Sequence, residues 1–428
     1  MSSIDGFALI GRPAIQGRDL RLAQVFDPII AEIAASAIDR ERERRLPFEE
    51  VRRLKSAGFG AIRVPVEFGG WGATLEEEFR VLIRLGAADS NLPQLLRGHV
   101  AFVETQRGLP DSQTRSAWLT RIAGGDILFG NAQAERGESS DVSTTLTERD
   151  GRLLLNGRKF YSTGTLFADW IWSGAKFHDE AVALAVRADA IGVTRVDDWD
   201  GFGQRLTGSG TTIFDDVEID PAHVLPWTES DEGRPLAYTQ ALYQLILLAT
   251  LAGIAAAVQR DAVAFVRPRT RTFGIPGTTS PREEAPVQQV VGRLGSIRFA
   301  VESIVLEAVR RLERADDSRR HEAGDAAEYE AALATAFEAQ QVVLPLVLEA
   351  ATLLFEVGGA SAVGEKLALD RHWRNARTIS SHNPAIYRAR ILGDYYLNDT
   401  PPTAQLRHAP PLADAVSGVG HTVGVVER

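Results

Sequence analysis

Residues 145–164 read TLTERDGRLLLNGRKFYSTG, and the reading of this stretch decides the fold. Threonine, leucine and aromatic residues fill its runs, and two dipeptides, Asp150-Gly151 and Asn156-Gly157, punctuate them. Asp-Gly and Asn-Gly supply the positive φ that a two-residue hairpin turn requires, so the spacing predicts a hairpin at each. The same character extends from about Gly124 to about Trp227, through WIWSGAKF, AVALAVRA and TTIFDDVEI. These runs and turns predict an all-β insert of roughly a hundred residues.

On both sides the apolar period changes. Leu22, Val25, Phe26, Ile29, Ile30, Ile33, Ala37 and Ile38 recur at three- and four-residue steps, which predicts one helical stripe. Gly58 is a helix stop, VPVEFGGWG at 64–72 is a loop, and helical patterning resumes at Leu75 and continues past His99. After about Leu236, long Ala/Leu/Val patterns run through 241–266, 286–313, 325–356 and 361–377. Within the first of these, ALYQLILLATLAGIAAAVQ is free of charge and nearly long enough to span a bilayer. Tyr243, Gln244, Thr250, Gly253 and an alanine-rich second half instead predict the central buried helix of a bundle. The expected division is a helical domain at 1–122, a β domain at 123–232, a helical bundle at 233–400 and a tail at 401–428. The mixed-charge stretch at 310–330 reads as a solvated helix end and loop. The proline-rich tail is expected to wrap a surface or another subunit, or to stay loose.

Composition narrows the chemistry. The 428 residues carry 47 Lys+Arg against 57 Asp+Glu, a net charge of −10 that argues against a general nucleic-acid binder. With no cysteine, disulfides, thiolate nucleophiles, zinc–thiolate sites and iron–sulfur clusters are excluded. The eight histidines show no metal-ligand spacing, and no G-x-S-x-G elbow supports a hydrolase. GFGQRLTGSGTT at 201–212 fails both the dinucleotide fingerprint and the P-loop pattern. It reads as tight turns whose N–H groups can still reach a cofactor. No basic, apolar leader opens the chain, so the expected location is cytoplasmic, with no membrane association. Residues alone stop at helices around a β domain.

Several segments, in order, then resemble the acyl-CoA dehydrogenase superfamily over about 45 to 400. VPVEFGGWG is similar to that family's N-terminal loop, GNAQAERGESSD at 130–141 to its flavin loop, and LNGRKFYSTG at 155–164 to its LNGxKxxITNG strand. The segment 203–225, FEVGGASA at 355–362 and DRHWRNART at 370–378 match three more. The resemblance implies an α+β fold: an N-terminal helical domain, a central β-barrel or sandwich domain, and a C-terminal four-helix bundle. In many members a glutamate removes the α-proton of an acyl thioester. Here His382 and Asn383 stand where Tyr and Glu are expected, and an amide cannot take a proton from carbon.

The closer resemblance is to the flavin-dependent monooxygenases of the superfamily, through STGTLFADWI, GQRLTGSGT and DRHWRNART…HNP…GDYYLN. That branch typically reads RTHTLHDP where this chain reads RTISSHNP, so Ile379 and Asn383 replace a family His and Asp. The resemblance implies reduced FMN, delivered by a separate NAD(P)H-dependent reductase, reacting with O₂ to give a C4a-hydroperoxide that oxygenates a small organosulfur or aromatic substrate. It implies Thr163 and Asn131 at the flavin, with Ser162 beside them, His382 as a donor or proton relay, and His99 on the substrate side. Arg271, then Arg269, are implied as phosphate ligands, and Gly358 and Gly359 as a close backbone approach across a homotetramer interface. Phe160, Tyr161 and Trp199 are expected to be packing. Alternatives left open are an FAD-dependent acyl-CoA dehydrogenase with a relocated base, an amine or amino-sugar N-hydroxylase, and a flavin-fold scaffold without chemistry.

Overall fold

The structure, a computed structural model, describes residues 17–125, 127–136, 143–178, 180–225, 235–272, 280–319 and 326–406. Helix α1 (Gly17–Ala35) buries Leu22, Phe26, Ile30 and Ile33, the first part of the expected stripe. The stripe does not continue unbroken. The helix breaks at Ser36 and restarts as α2 (Ala37–Glu43). The reason is Arg40, fully buried, which donates to the Ile33 carbonyl, to Asp89 and to Glu50. A buried guanidinium needs such partners, and an uninterrupted helix would keep the Ile33 carbonyl for itself.

Helix α3 (Phe48–Ser56) ends before Gly58, whose φ of 82° is the left-handed stop expected of it. Helix α4 (Leu75–Ala88) begins in a capping box between Thr74 and Glu77. Helices α5 (Asn91–Gly108) and α6 (Gln113–Ala123) complete this region, and α5 is buried along nearly its whole length.

Eight strands form one mixed sheet: β1 (Phe129–Ala132), β2 (Thr145–Arg149), β3 (Arg152–Lys159), β4 (Trp170–Phe177), β5 (Glu180–Arg187), β6 (Val193–Val196), β7 (Thr211–Ile219) and β8 (Val224–Leu225). The order is β6-β7-β3-β2-β4-β5-β8, and β1 and β2 share one edge of β4, both parallel to it. Asp150-Gly151 makes the β2–β3 hairpin, with φ of 54° and 74°. Asn156-Gly157 does not make a hairpin. It lies inside β3, where the register against β7 shifts between Leu155 and Gly157. Gly157 has φ 153°, and a Cβ there would fall 2.5 Å from the Thr144 hydroxyl. The glycine serves a bulge against a neighbouring chain segment, not a turn.

The C-terminal region holds α7 (Leu236–Val266), α8 (Ala285–Arg319), α9 (Ala326–Leu353), α10 (Asp370–His382), α11 (Ala385–Asn398) and the short α12 (Pro402–Leu406). Helix α7 packs against α4, α5, α8, α9 and α10, which makes it the bundle's centre. By length and composition, α7 and the 326–357 segment could each cross a membrane, and the apolar window of α7 is 89% buried within the protein. The helix expected at 361–377 begins instead at Asp370. Residues 354–367 form successive 3₁₀ turns, because Gly358, Gly359 and Gly364 weaken a continuous helix. Of the tail, 407–428 lies outside the described residues, while Thr403 in α12 is tied to Glu330 of α9.

Candidate functional site

Helix α5 lies directly on the start of the sheet. A Cβ on Gly164 would fall 2.2 Å from the Leu95 carbonyl, and Gly98 abuts Asn131 in β1. The Asn131 amide donates to the Thr163 carbonyl at 3.1 Å, which joins β1 to the turn after β3. Asn131, Ser162 and Thr163 are thereby brought together. The Oδ1 of Asn131 and the Oγ of Ser162 are buried without a protein partner. Such orphans are uncommon and demand an explanation.

Thr163 heads a row of hydroxyls. Its Oγ1 is 2.8 Å from Ser209 Oγ, which is 2.7 Å from Thr207 Oγ1, which donates to the Gln204 carbonyl at 2.9 Å. Each hydroxyl has one proton. Thr207 spends its own on a carbonyl, so Ser209 donates to Thr207, and the Thr163 proton goes to Ser209 or to the Tyr161 carbonyl, 3.3 Å away. Thr163 therefore presents lone pairs, not its proton, to a ligand. The loop carrying this row is docked on the helices: Gln204 N–H donates to Asn375 of α10 at 2.6 Å, and Leu206 N–H to Asn91 of α5 at 3.2 Å.

Ser209 also lines a cleft of about 440 Å³ with Arg136, Arg158, Phe160, Tyr161 and Trp199. The three aromatic residues, expected to be packing, form walls instead. Tyr161 is 51% exposed, meets Trp199 edge-on at 6.1 Å and accepts from Arg136 at 2.8 Å. Its φ of 53° is a strained value for a tyrosine. The flavin-like loop is anchored by Glu135. Burial would raise its carboxyl, but Lys159 and the Ser143 and Thr144 N–H groups outweigh this and hold it at about 2. Asp141 of that motif lies outside the described residues.

Also on α5, Arg97 Nη2 lies 2.9 Å from His382 Nε2 at the end of α10. The guanidinium must donate, so Nε2 accepts and the imidazole proton sits on Nδ1, facing Asn383 Oδ1 at 3.3 Å. The side chain is exposed, and because Nε2 accepts from the Arg97 cation the ring in this arrangement is neutral. As placed, it is an acceptor rather than a proton relay. Asn383 is tied by Nδ2 to Gln244 at 3.0 Å, and its carbonyl accepts from Gln340 at 2.8 Å. Ile379 is core.

His99 corrects an expectation. Its Nε2 donates to the Gly60 carbonyl at 2.9 Å, and its Nδ1 accepts from the Phe129 N–H at 3.2 Å. Burial lowers it to about 4. With both nitrogens spent on backbone, it pins α5 to β1 and has none left for a substrate. Arg269 stacks on Phe265, and its Nη1 is buried without a partner. A Cβ on Gly358 would fall 2.8 Å from that nitrogen, so Arg269 and Gly358 are brought together, while Arg271 is exposed. Gly359 has φ 51° and open space above it. Sequence reasoning passed over Arg97 and Ser209. A charged residue two positions before His99, in a helix with no polar face, was the available signal for Arg97. For Ser209, hidden among turn glycines, no signal existed.

Family models agree with this layout. That of the acyl-CoA dehydrogenase N-terminal domain matches residues 22–126, and that of the C-terminal domain matches 245–385. The dibenzothiophene monooxygenase of Rhodococcus qingshengii is 28% identical over 384 residues, covering 85% of this chain and 90% of its own. The "Probable FMNH2-dependent monooxygenase SfnC" of Pseudomonas putida is 26% identical over 382 residues, covering 87% and 94%. The solved structure of the methanesulfinate monooxygenase MsuC from Pseudomonas fluorescens superposes with a TM-score of 0.79 at 25% identity, covering 88% of this chain and 97% of that one. The two matched domains, the sheet between them and the glycine-mediated contacts that join them make this chain a member of the acyl-CoA dehydrogenase superfamily.

Proposed function

We propose that this chain is the oxygenase component of a two-component monooxygenase, which uses reduced FMN from a separate NAD(P)H-dependent reductase and O₂ to oxygenate a small organosulfur compound. The observation that carries the reading is Asn383. Where dehydrogenases of the superfamily place a carboxylate base, this chain has a side-chain amide tied to Gln244, with the backbone carbonyl held by Gln340. The flavin-dependent monooxygenases among its relatives support the same reading.

The residues present fit a flavin. Asn131 Oδ1, Ser162 Oγ and Arg269 Nη1 are buried polar atoms that lack protein partners, of the types that a ring edge of N–H and C=O groups and a phosphate require. When bound, the flavin supplies the electron transfer and oxygen chemistry. Asn131, Ser162 and Thr163 would hold the ring and Arg269 the phosphate. Thr163, its proton committed to Ser209 or the Tyr161 carbonyl, offers an acceptor suited to an N–H. Phe160, Tyr161 and Trp199 line the cleft beside Ser209 and would give a ligand apolar and aromatic surface. His382, held by Arg97 at the end of α10, would present a neutral imidazole. The reading includes a homotetramer, supported by the exposed apolar side chains of Ile386, Leu397 and Phe299 on α11 and α8. Sedimentation measures it.

The test supplies reduced FMN, isotopically labelled O₂ and a panel of sulfides and sulfinates. Label in the product supports the reading. Reduction of tightly held FAD by an acyl-CoA, with no label incorporated, refutes it.

A further inference from the structure

Arg97 is a charge without a counter-charge. The residue is only 6% exposed, on a helix that is buried along its length. Among the described residues its one hydrogen bond is to His382, and the guanidinium carbon lies over the face of Tyr243, 5.2 Å from the ring centre. His382 is neutral, as shown above. The Tyr243 hydroxyl, raised to about 12 by burial, is neutral too. Burial pulls the guanidinium below its ordinary value, and no carboxylate among the described residues pairs with it.

The other buried arginines of this chain are treated differently. Arg40 has Asp89 and Glu50, Arg63 has Glu104, and Arg371 has Asp261. An unpaired buried ion is expensive, and a fork of five donors with one hydrogen bond is poorly satisfied. Gln94, one turn earlier on α5, also has a buried side-chain oxygen without a partner. A rotated amide would turn its NH₂ to the same place. The position is not incidental: the next residue, Gly98, touches Asn131 of the flavin-facing group, and His382 adjoins Asn383.

We propose that Arg97 is the specificity residue of this site and that the substrate is an organosulfur oxyanion, a sulfinate or sulfonate, whose charged end the free guanidinium edge receives. Planar guanidinium and oxyanion oxygens match in pairs, which a neutral thioether or arene does not offer. The inference rests on the monooxygenase reading for the reaction but not for the binding.

Calorimetric titration tests it with ethanesulfinate and benzenesulfinate against their neutral shape-mates, ethyl methyl sulfone and methyl phenyl sulfone. The wild-type protein should bind the sulfinates about 10- to 150-fold more tightly, the range of a hydrogen bond to a charged group. Arg97→Met should abolish that preference and leave the affinity for reduced FMN unchanged. Three results overturn the proposal: no anion preference in the wild type, preference retained in Arg97→Met, or a variant that loses reduced FMN while still preferring the anion. The last would assign the guanidinium to the flavin. If Arg97→Met does not fold, the wild-type preference still decides, and Arg97→Lys, which keeps charge but not the fork, should retain only part of it. Binding of a sulfinate without incorporation of labelled oxygen would sink the monooxygenase reading and leave this one standing.

Discussion

A Cβ placed on Gly98 would lie 2.7 Å from the Cβ of Asn131 and 2.9 Å from its amide nitrogen. Helix α5 therefore rests on strand β1 at the point where Asn131 turns its unpartnered oxygen to the candidate flavin site. The contact couples the N-terminal helices to the β domain, and it exists because one residue has no side chain.

Gly98→Ala tests that coupling. Overpacking costs about 1–3 kcal/mol, against roughly 1 kcal/mol that alanine gains over glycine in a helix. We expect a net loss of stability in urea unfolding, together with weaker FMN binding by fluorescence titration. Unchanged FMN affinity would mean that Asn131 does not touch the cofactor.

The hydroxyl row makes a redox-specific prediction. Thr163→Val removes the acceptor, so affinity for reduced FMN should fall by about 2- to 12-fold, the range of one net hydrogen bond. Product per reduced FMN should fall and H₂O₂ rise. Ser209→Ala leaves the Thr163 proton only the longer contact to the Tyr161 carbonyl, 3.3 Å, so it turns outward more readily and the ratio of reduced to oxidised FMN affinity should drop. Equal ratios in wild type and Ser209→Ala would rule out the assigned proton direction.

Two buried histidines set an acid limit. Burial, the largest cause for each, lowers His99 to about 4 and His372 to about 4. In the unfolded chain each titrates near 6.5. Between those values the unfolded state binds more protons, so their contribution is complete above about pH 7 and is lost as pH falls towards 4. The slope is up to about 1.4 kcal/mol per histidine per pH unit. Unfolding midpoints measured from neutral to mildly acidic pH should show it, and His99→Gln should flatten it.

His382 itself gives a catalytic prediction. His382→Ala should cut product formation while FMN affinity holds. Since its nitrogen is already an acceptor for Arg97, the wild-type rate profile should carry no ionisation from it near 6.5. An inflection there that disappears in His382→Gln would restore the proton relay.

Gly151 and Gly157, two of the three glycines of the opening stretch, should respond differently. Gly151, at a hairpin with nothing within 4 Å of a Cβ, should cost about 1–2 kcal/mol as alanine, for the left-handed backbone alone. Gly157→Ala, with Thr144 at 2.5 Å, should cost more, by an added overpacking of about 1–3 kcal/mol. Denaturant midpoints compare them directly.

Local rules were enough for much of this. The period of the apolar residues placed α1, α4, α7 and the strands, Gly58 and Asp150-Gly151 ended and turned the chain as their backbone preferences demand, and an amide at Asn383 meant no carbon base there. These are properties of a residue and its near neighbours. Tertiary structure alone decided that Asn156-Gly157 is a bulge, that His99 is spent on Gly60 and Phe129, and that Arg97 meets His382, 285 positions away, with no carboxylate beside it. Hydrogen-bond saturation and charge pairing depend on which distant groups share a buried volume, and neither spacing nor composition records that.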